Sequence, residues 1–194
     1  GIGKAAERQI LIKDATALER LRKVDALVSD KTGTLTTPNR NIDFTKSDNL
    51  PLEEREALKP CAREAMAELH DMGIEVYLMS GDKEEAAKYW ADRAGITHYR
   101  SKVLPQDKEN LVAQLQQQGK RVAMIGDGIN DTQALARADV SIAMGKGTDV
   151  AMDVAQVTLM GDDLRAIPEA VRLSRSTVRM IWQNLFWAFI YNIV

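Results

Sequence analysis

Asp30 stands at the end of an apolar run, Ala26-Leu27-Val28, and is followed by Lys31-Thr32-Gly33-Thr34-Leu35-Thr36. Such a run reads as a short buried strand, and Gly33 with its threonines turns the chain away from it. One carboxylate is thereby placed at the carboxyl end of a strand, where open α/β sheets hold ligands. An isolated Asp in this position serves more often as a turn or cap residue, but here three later runs end in a similar way. Ile74 to Met79 ends at Ser80-Gly81-Asp82, Val122 to Ile125 at Gly126-Asp127-Gly128, and Val140 to Met144 at Gly145. Four strand ends of this design would converge on one sheet edge.

The chemistry implied is phosphoryl transfer. Backbone N–H groups from Lys31 to Thr34 can cradle a phosphoryl group as a nest does. Asp30, Asp127 and Asp131 repel one another around a phosphate unless a cation lies between them. Mg2+ suits that role, being a hard ion that takes oxygen ligands and keeps several waters. Lys108, three residues after Pro105, can neutralise the transferring oxygens, while Ser80 and Asn130 can hydrogen-bond them. Asp30 then acts as a nucleophile and becomes an aspartyl phosphate; the protein supplies positioning and charge neutralisation. A phosphatase of this design needs an acid/base two residues after the nucleophile. Thr32 stands there instead, so the phosphoenzyme is expected to form but to hydrolyse slowly.

The elements that must hold these residues alternate. Gln9-Ile10-Leu11-Ile12 is a short element, followed by a helix with Asp14 as N-cap and Leu18, Leu21 and Val24 on one face. Ile42-Asp43-Phe44-Thr45 alternates like a strand, and a charged helix surrounds Glu53-Glu54-Arg55-Glu56. Helices are predicted over Ala62–Met72, Glu84–Ala94, Pro105–Gln118 and Asn130–Ala138, the first three stopped by Gly73, Gly95 and Gly119. A last strand, Gln156–Met160, precedes Asp162-Asp163, read as the cap of a long helix from Leu164 to Val194. Strands alternating with helices give an α/β fold, a doubly wound parallel sheet flanked by helices.

Among 194 residues, 45% are hydrophobic and 28% charged, with a formal net charge of -2, so bulk electrostatics give no sign of nucleic acid binding. A single cysteine, Cys61, excludes an internal disulfide framework, and Gly1-Ile2-Gly3-Lys4 offers no apolar signal segment. Met66, Met72, Met79, Met124 and Met144 fall at core positions, and His70 and His98 have no ligand spacing around them. The apolar run from Met180 to Val194 is shorter than the roughly 20 residues that span a bilayer. It is either the beginning of a cut transmembrane helix or an amphipathic helix packed on a partner.

Asp30-Lys31-Thr32-Gly33-Thr34-Leu35-Thr36 resembles the phosphorylation motif of the P-type ATPases, within the haloacid-dehalogenase-like superfamily. Ser80-Gly81-Asp82 resembles their Thr-Gly-Asp motif, Pro105 and Lys108 their Pro-x-x-Lys, and Gly126 through Leu135 their hinge motif. The resemblance implies Asp30 as phosphate acceptor, with Lys108 and Thr32 at the reaction centre. It implies Mg2+ held by Asp30, the Thr32 carbonyl and Asp127, with Asp131 in support. Phosphate contacts would come from Lys31, Thr32, Gly33, Ser80, Gly81, Lys108 and Asn130. The C-terminal Asn184 to Asn192 is similar to a membrane helix of heavy-metal pumps, which makes Tyr191 and Asn192 candidate ligands for transported Cu+ or another soft metal; interfacial anchoring is the alternative for both. ATP would be the phosphoryl donor, through a nucleotide domain for which the forty residues before Ser80 leave no room. Glu56-Ala57-Leu58-Lys59-Pro60 corresponds to the family's Asp-x-x-Lys/Arg-Pro element. An actuator domain and membrane segments of the same protein would be further partners, with this domain on the cytoplasmic side of the membrane. The implied division is a phosphorylation domain over 1–36 and 57–165, a linker or remnant over 37–56, and a helix over 166–194 leading to a truncated transmembrane segment. A free-standing phosphatase of the same superfamily, or a non-catalytic fragment, are the alternatives.

Overall fold

Aliphatic runs that are buried on both faces form the middle of a seven-stranded sheet, because a strand covered on both sides cannot alternate with polar residues. The computed structural model describes residues 9–39, 50–126, 129–145 and 153–193. In chain order the elements begin with β1 (Ile10–Ile12), α1 (Ala15–Arg22), β2 (Ala26–Asp30), β3 (Thr36–Pro38), α2 (Leu52–Arg55) and β4 (Glu56–Leu58). They continue with α3 (Ala62–Asp71), β5 (Glu75–Met79), α4 (Glu84–Ala94), β6 (His98–Arg100), α5 (Pro105–Gln117) and β7 (Val122–Gly126). A 3-10 turn over Ile129–Asp131 leads into α6 (Thr132–Arg137), then β8 (Val140–Met144), β9 (Val157–Leu159) and α7 (Ala166–Ile193).

The sheet order is β1-β9-β8-β7-β2-β5-β6, parallel throughout except that β1 runs antiparallel to β9. β2 therefore sits where the strand order departs in both directions, the switch point at which such sheets open a crevice. Alternate residues of each strand feed two cores. Leu27, Leu78, Ala123 and Ile142 face one, packed by side chains of α1, α3, α4 and α7. Val28, Met79, Met124 and Ala143 face the other, packed by α5 and α6.

The predicted helices hold, with their caps. Asp14 accepts from the Ala17 N–H at 2.7 Å, and Gly95 ends α4 at φ 73°, a left-handed value that glycine adopts without Cβ strain. The helix predicted from Asn130 is divided into the 3-10 turn and α6. β6 adds a strand beyond β5 that the sequence pattern does not announce. Thr36–Pro38 pairs antiparallel with Glu56–Leu58, so Thr37, Pro38 and Glu56 take part in a two-stranded ribbon. The charged helix before it is confined to Leu52–Arg55. The strand expected at Ile42–Thr45 lies outside the described residues.

α7 has two regimes. From Ile167 to Val178 it buries a face against the body, fastened by Ser174 Oγ donating to the Leu18 carbonyl. From Met180 onward, Ile181, Trp182, Leu185, Phe186, Trp187 and Phe189 are exposed. Among the described residues no helix is long and apolar enough to cross a membrane. The expectation of a helix leading into the membrane is therefore met only by an exposed apolar helix end.

Leu21 is fully buried in the first core, on α1. Leu21→Ala is expected to lower unfolding free energy by about 3 kcal/mol through lost transfer energy and a residual cavity, measured by urea denaturation.

Candidate active site

The register of β2 with its two neighbours builds the site. Ser29 pairs with Ile125, which sets Asp30 beside Gly126 at the end of β7. Asp30 itself pairs with Met79, which sets it beside Ser80 on the other side. The Asp30 side chain is 15% exposed and accepts from Lys108 Nζ at 2.7 Å. The same ammonium donates to Asp131 Oδ1 at 2.6 Å, and the Asp131 side chain is only 2% exposed.

Local sequence explains both partners. Pro105 opens α5, and the Asp107 carboxylate accepts from the Leu104 N–H at 2.8 Å, which fixes the first turn and aims Lys108 at the sheet edge. Asp131 closes the 3-10 turn and folds back over the end of β7. A Cβ on Gly126 would meet Asp131 Oδ2 at 2.5 Å, so glycine is what admits the carboxylate there. Burial pulls the Lys108 ammonium toward its neutral form, but the Asp30 and Asp131 carboxylates together outweigh burial and hold its pKa above the ordinary lysine value of 10.5.

The loop after Asp30 is committed to the fold more than its composition suggests. The Lys31 N–H donates to the Met79 carbonyl at 3.1 Å and the Gly33 N–H to the Thr36 carbonyl at 3.0 Å. Gly33 adopts φ 78°, and the carbonyl of Lys31 accepts from the N–H groups of Leu35 and Thr36. Two of the four N–H groups expected to form a phosphate nest are thus used internally. The Lys31 side chain is buried, with Nζ at 2.6 Å from Glu56 Oε1 and 2.5 Å from Asp82 Oδ2. That ammonium is part of an ion network: Glu56 Oε2 also accepts from Thr36 Oγ1 at 2.7 Å.

The remaining predicted residues fall as follows. Thr32 is exposed at the loop, Ser80 is buried at the end of β5, and Gly81 is exposed after it. Ser80 Oγ accepts from the Asp82 N–H at 3.2 Å. Asn130 is exposed on the 3-10 turn that ends at Asp131. Asp127 lies outside the described residues. Tyr191 and Asn192 are exposed on the far half of α7, which projects beyond the part packed on the body. Among the described residues no group of three or more His, Cys, Asp or Glu side chains is arranged to hold a metal ion.

Glu56, Lys59 and Asp82 lie in stretches matched to family motifs, but their pairing with the acceptor loop was not expected from the sequence. Lys59 is buried, and its Nζ donates to the Gly33 carbonyl at 2.7 Å. No local pattern announces these contacts, which join residues far apart along the chain.

Comparison with known proteins fits this geometry. The profile of the haloacid dehalogenase-like hydrolases matches residues 42–139. A copper-exporting P-type ATPase of Staphylococcus aureus strain JH9 is 49% identical over 138 residues, covering 71% of this chain. One from the bovine strain RF122 is 50% identical over the same length. The chain spans 17% of the length of each. A zinc-transporting PIB-type ATPase in its E2.Pi state superposes with a TM-score of 0.81 at 26% identity, over 95% of this chain and 46% of that one. The catalytic CPx-ATPase domain CopB-B shares the fold, with a TM-score of 0.71 at 23% identity, over 90% of this chain and 98% of that one.

Removing the ammonium leaves two carboxylates facing each other. Lys108→Met is expected to destabilise the fold by about 3 kcal/mol, the cost of an uncompensated buried charge, with partial recovery in Lys108→Met/Asp131→Asn by urea denaturation. A raised lysine pKa stabilises the fold below its unfolded value and ceases to do so as pH rises through the folded one. The wild type is therefore expected to lose an increment of stability above pH 10.5 that Lys108→Met lacks.

Proposed function

The chain belongs to the haloacid dehalogenase-like hydrolase family, in the branch of the heavy-metal P-type ATPases, and from that premise we propose that it is the phosphorylation domain of an ATP-driven, copper-exporting pump. Asp30 is the phosphoryl acceptor. A carboxylate oxygen of Asp30 forms the new bond to the γ-phosphorus of ATP, the bond from that phosphorus to the bridging oxygen breaks, and ADP departs with the electron pair. The observation that carries this reading is the Lys108 ammonium, 2.7 Å from Asp30 and 2.6 Å from Asp131. It sits where charge gathers on the transferring oxygens and needs no reorganisation to meet it.

Asp30 and the Thr32 carbonyl, with Asp127 and with Asp131 in support, are hard oxygen donors of the kind Mg2+ takes. Bound there, Mg2+ would supply further neutralisation of the phosphoryl charge. The buried ammonium between Asp30 and Asp131 is itself a cation held among carboxylates, and that supports the fit. Ser80, Gly81, Asn130 and the exposed face of the Thr32–Gly33 loop are the phosphate contacts in this reading. Lys31 acts differently from the sequence expectation: through Glu56 and Asp82 it braces the loop. Thr32, a residue without an acidic group, leaves the acyl phosphate slow to hydrolyse, which suits a pump that must hold the phosphorylated state. ATP would reach Asp30 on a nucleotide-binding part of the intact protein. α7 would carry the domain to the membrane from its cytoplasmic side, with Tyr191 and Asn192 as candidate ligands for Cu+. An actuator domain of the same protein would direct water to the acyl phosphate.

In the intact protein, Asp30→Asn is expected to abolish both ATP-dependent, hydroxylamine-sensitive labelling and copper efflux. Tyr191→Ala and Asn192→Ala are expected to retain labelling from ATP while losing its dependence on copper. Covalent label persisting in Asp30→Asn would overturn the assignment of the acceptor.

A further inference from the structure

We propose that Lys59 is a positioning residue that fixes one peptide of the acceptor loop and couples that loop to the segment from which α7 starts. The inference rests on the reading of Asp30 as phosphoryl acceptor and adds to it the route by which the domain responds.

Lys59 holds the acceptor loop at two points. Its backbone N–H donates to the Leu35 carbonyl at 3.0 Å, and its Nζ donates to the Gly33 carbonyl at 2.7 Å. A peptide unit is planar and trans, and no cis bond occurs among the described residues. With the Gly33 carbonyl turned toward Lys59, the Thr34 N–H on the same plane points the opposite way. Among the described residues the buried Thr34 hydroxyl has no hydrogen-bond partner, so none of them anchors that peptide through it. Lys59 is what sets its rotation, and Gly33 at φ 78° is the joint about which it would otherwise turn.

The second contact faces the other way. Lys59 Nζ lies 3.7 Å from Asp162 Oδ1. Asp162 stands in the short bend between β9 and α7. The next residue, Asp163, accepts from the Arg165 N–H at 3.0 Å, and its carbonyl accepts from the Ala166 N–H at 3.1 Å, the first residue of α7. Arg165 in turn reaches Glu64 of α3 at 3.8 Å. One ammonium is thus shared between a carbonyl of the acceptor loop and a carboxylate at the root of the long helix. A buried ammonium costs more than an apolar side chain of equal length, so lysine at this position is explained by the two groups it joins rather than by packing.

The consequence is mechanical. A phosphoryl group on Asp30 adds negative charge and new acceptor oxygens beside the loop. Donation from the Thr34 N–H to them polarises the Gly33–Thr34 peptide, strengthens the hold of Lys59 on the Gly33 carbonyl and draws the ammonium away from Asp162.

The test uses the full 194-residue chain with Mg2+ and beryllium fluoride, an aspartyl-phosphate mimic, and reads hydrogen exchange in the peptide covering Met160 to Ile167. In the wild type, the mimic is expected to change exchange in that peptide. Asp162→Asn is expected to bind the mimic with unchanged affinity and lose the exchange change. Lys59→Met is expected to bind the mimic about tenfold more weakly, and Lys59→Arg to restore both binding and response; circular dichroism checks that each variant is folded. The same exchange change in Asp162→Asn, or bound mimic with no change in the wild type, would overturn the coupling alone. Failure of the wild type to bind the mimic at all would remove the acceptor assignment and this inference with it.

Discussion

Everything at the carboxyl edge of the sheet depends on keeping Asp30 and Asp131 together. Two like charges a few ångströms apart in a partly buried site repel by about 4 kcal/mol at an effective dielectric constant near 20, and a fold would ordinarily separate them. Here the backbone forbids separation. Parallel pairing of β2 with β7 puts Asp30 next to Gly126, and Asp131 lies over that glycine with no room for even a methyl group between them. Lys108, delivered by the first turn of α5, answers the repulsion by donating to both. Asp30 is thereby held in orientation, and in the proposed phosphoryl transfer the same ammonium is in place for the charge that would arrive. Strand register, a glycine without a side chain and a proline-started helix are the structural means; a carboxylate held beside a cation at the sheet edge is the result, the position that the proposed nucleophile requires.

A second layer of cations repeats that logic behind the acceptor. Lys31 and Lys59 are both buried, and they grip the acceptor loop at separate places. Lys31 ties it to Glu56 on the ribbon and to Asp82 after β5. Lys59 ties it to its own Gly33 carbonyl and to Asp162. Hydrogen bonds to charged groups are stronger than those between neutral ones, and these close around a loop of only a few residues. The loop is thereby preorganised, which in the proposed reaction would lower the reorganisation that catalysis requires.

Legibility in the sequence followed length and periodicity. β2, β5, β7 and β8 are five-residue strands of nearly continuous apolar character, and α1, α3, α4 and α5 carry caps and apolar faces, so each could be read directly. β6 and the β3–β4 ribbon are three residues long and lack the apolar runs that mark the equally short β1 and β9. Such segments have too few residues to show alternation, and their pairing depends on partners far away in sequence. The acceptor, Lys108, Ser80 and Asp131 were visible because each follows a strand or opens a helix. Lys31, Glu56 and Lys59 were not given their structural roles, because charged residues are normally exposed and no local pattern marks those buried by tertiary pairing. Lys31 in particular is buried against Glu56 and Asp82, a pairing that adjacency to Asp30 along the chain does not announce.

Under the proposed phosphorylation of Asp30, a loop held this firmly would not respond by loosening as a whole. Its fixed points are on other elements, so a change in its charge must be felt where those points attach: at the ribbon through Glu56, and at the bend before α7 through Asp162. α7 is a 28-residue helix, about 42 Å long at 1.5 Å per residue. Its first half is packed on α1 and α3, and its second half, from Met180, presents an apolar surface that the body does not cover. A rigid rod anchored at one end converts a small rotation at its root into a larger displacement at its tip. The root of this rod lies next to the carboxylate that shares an ammonium with the acceptor loop. In the proposed coupling, the carboxyl edge of the sheet and the apolar end of α7 would lie at opposite ends of one lever, with the buried Lys59 at its root.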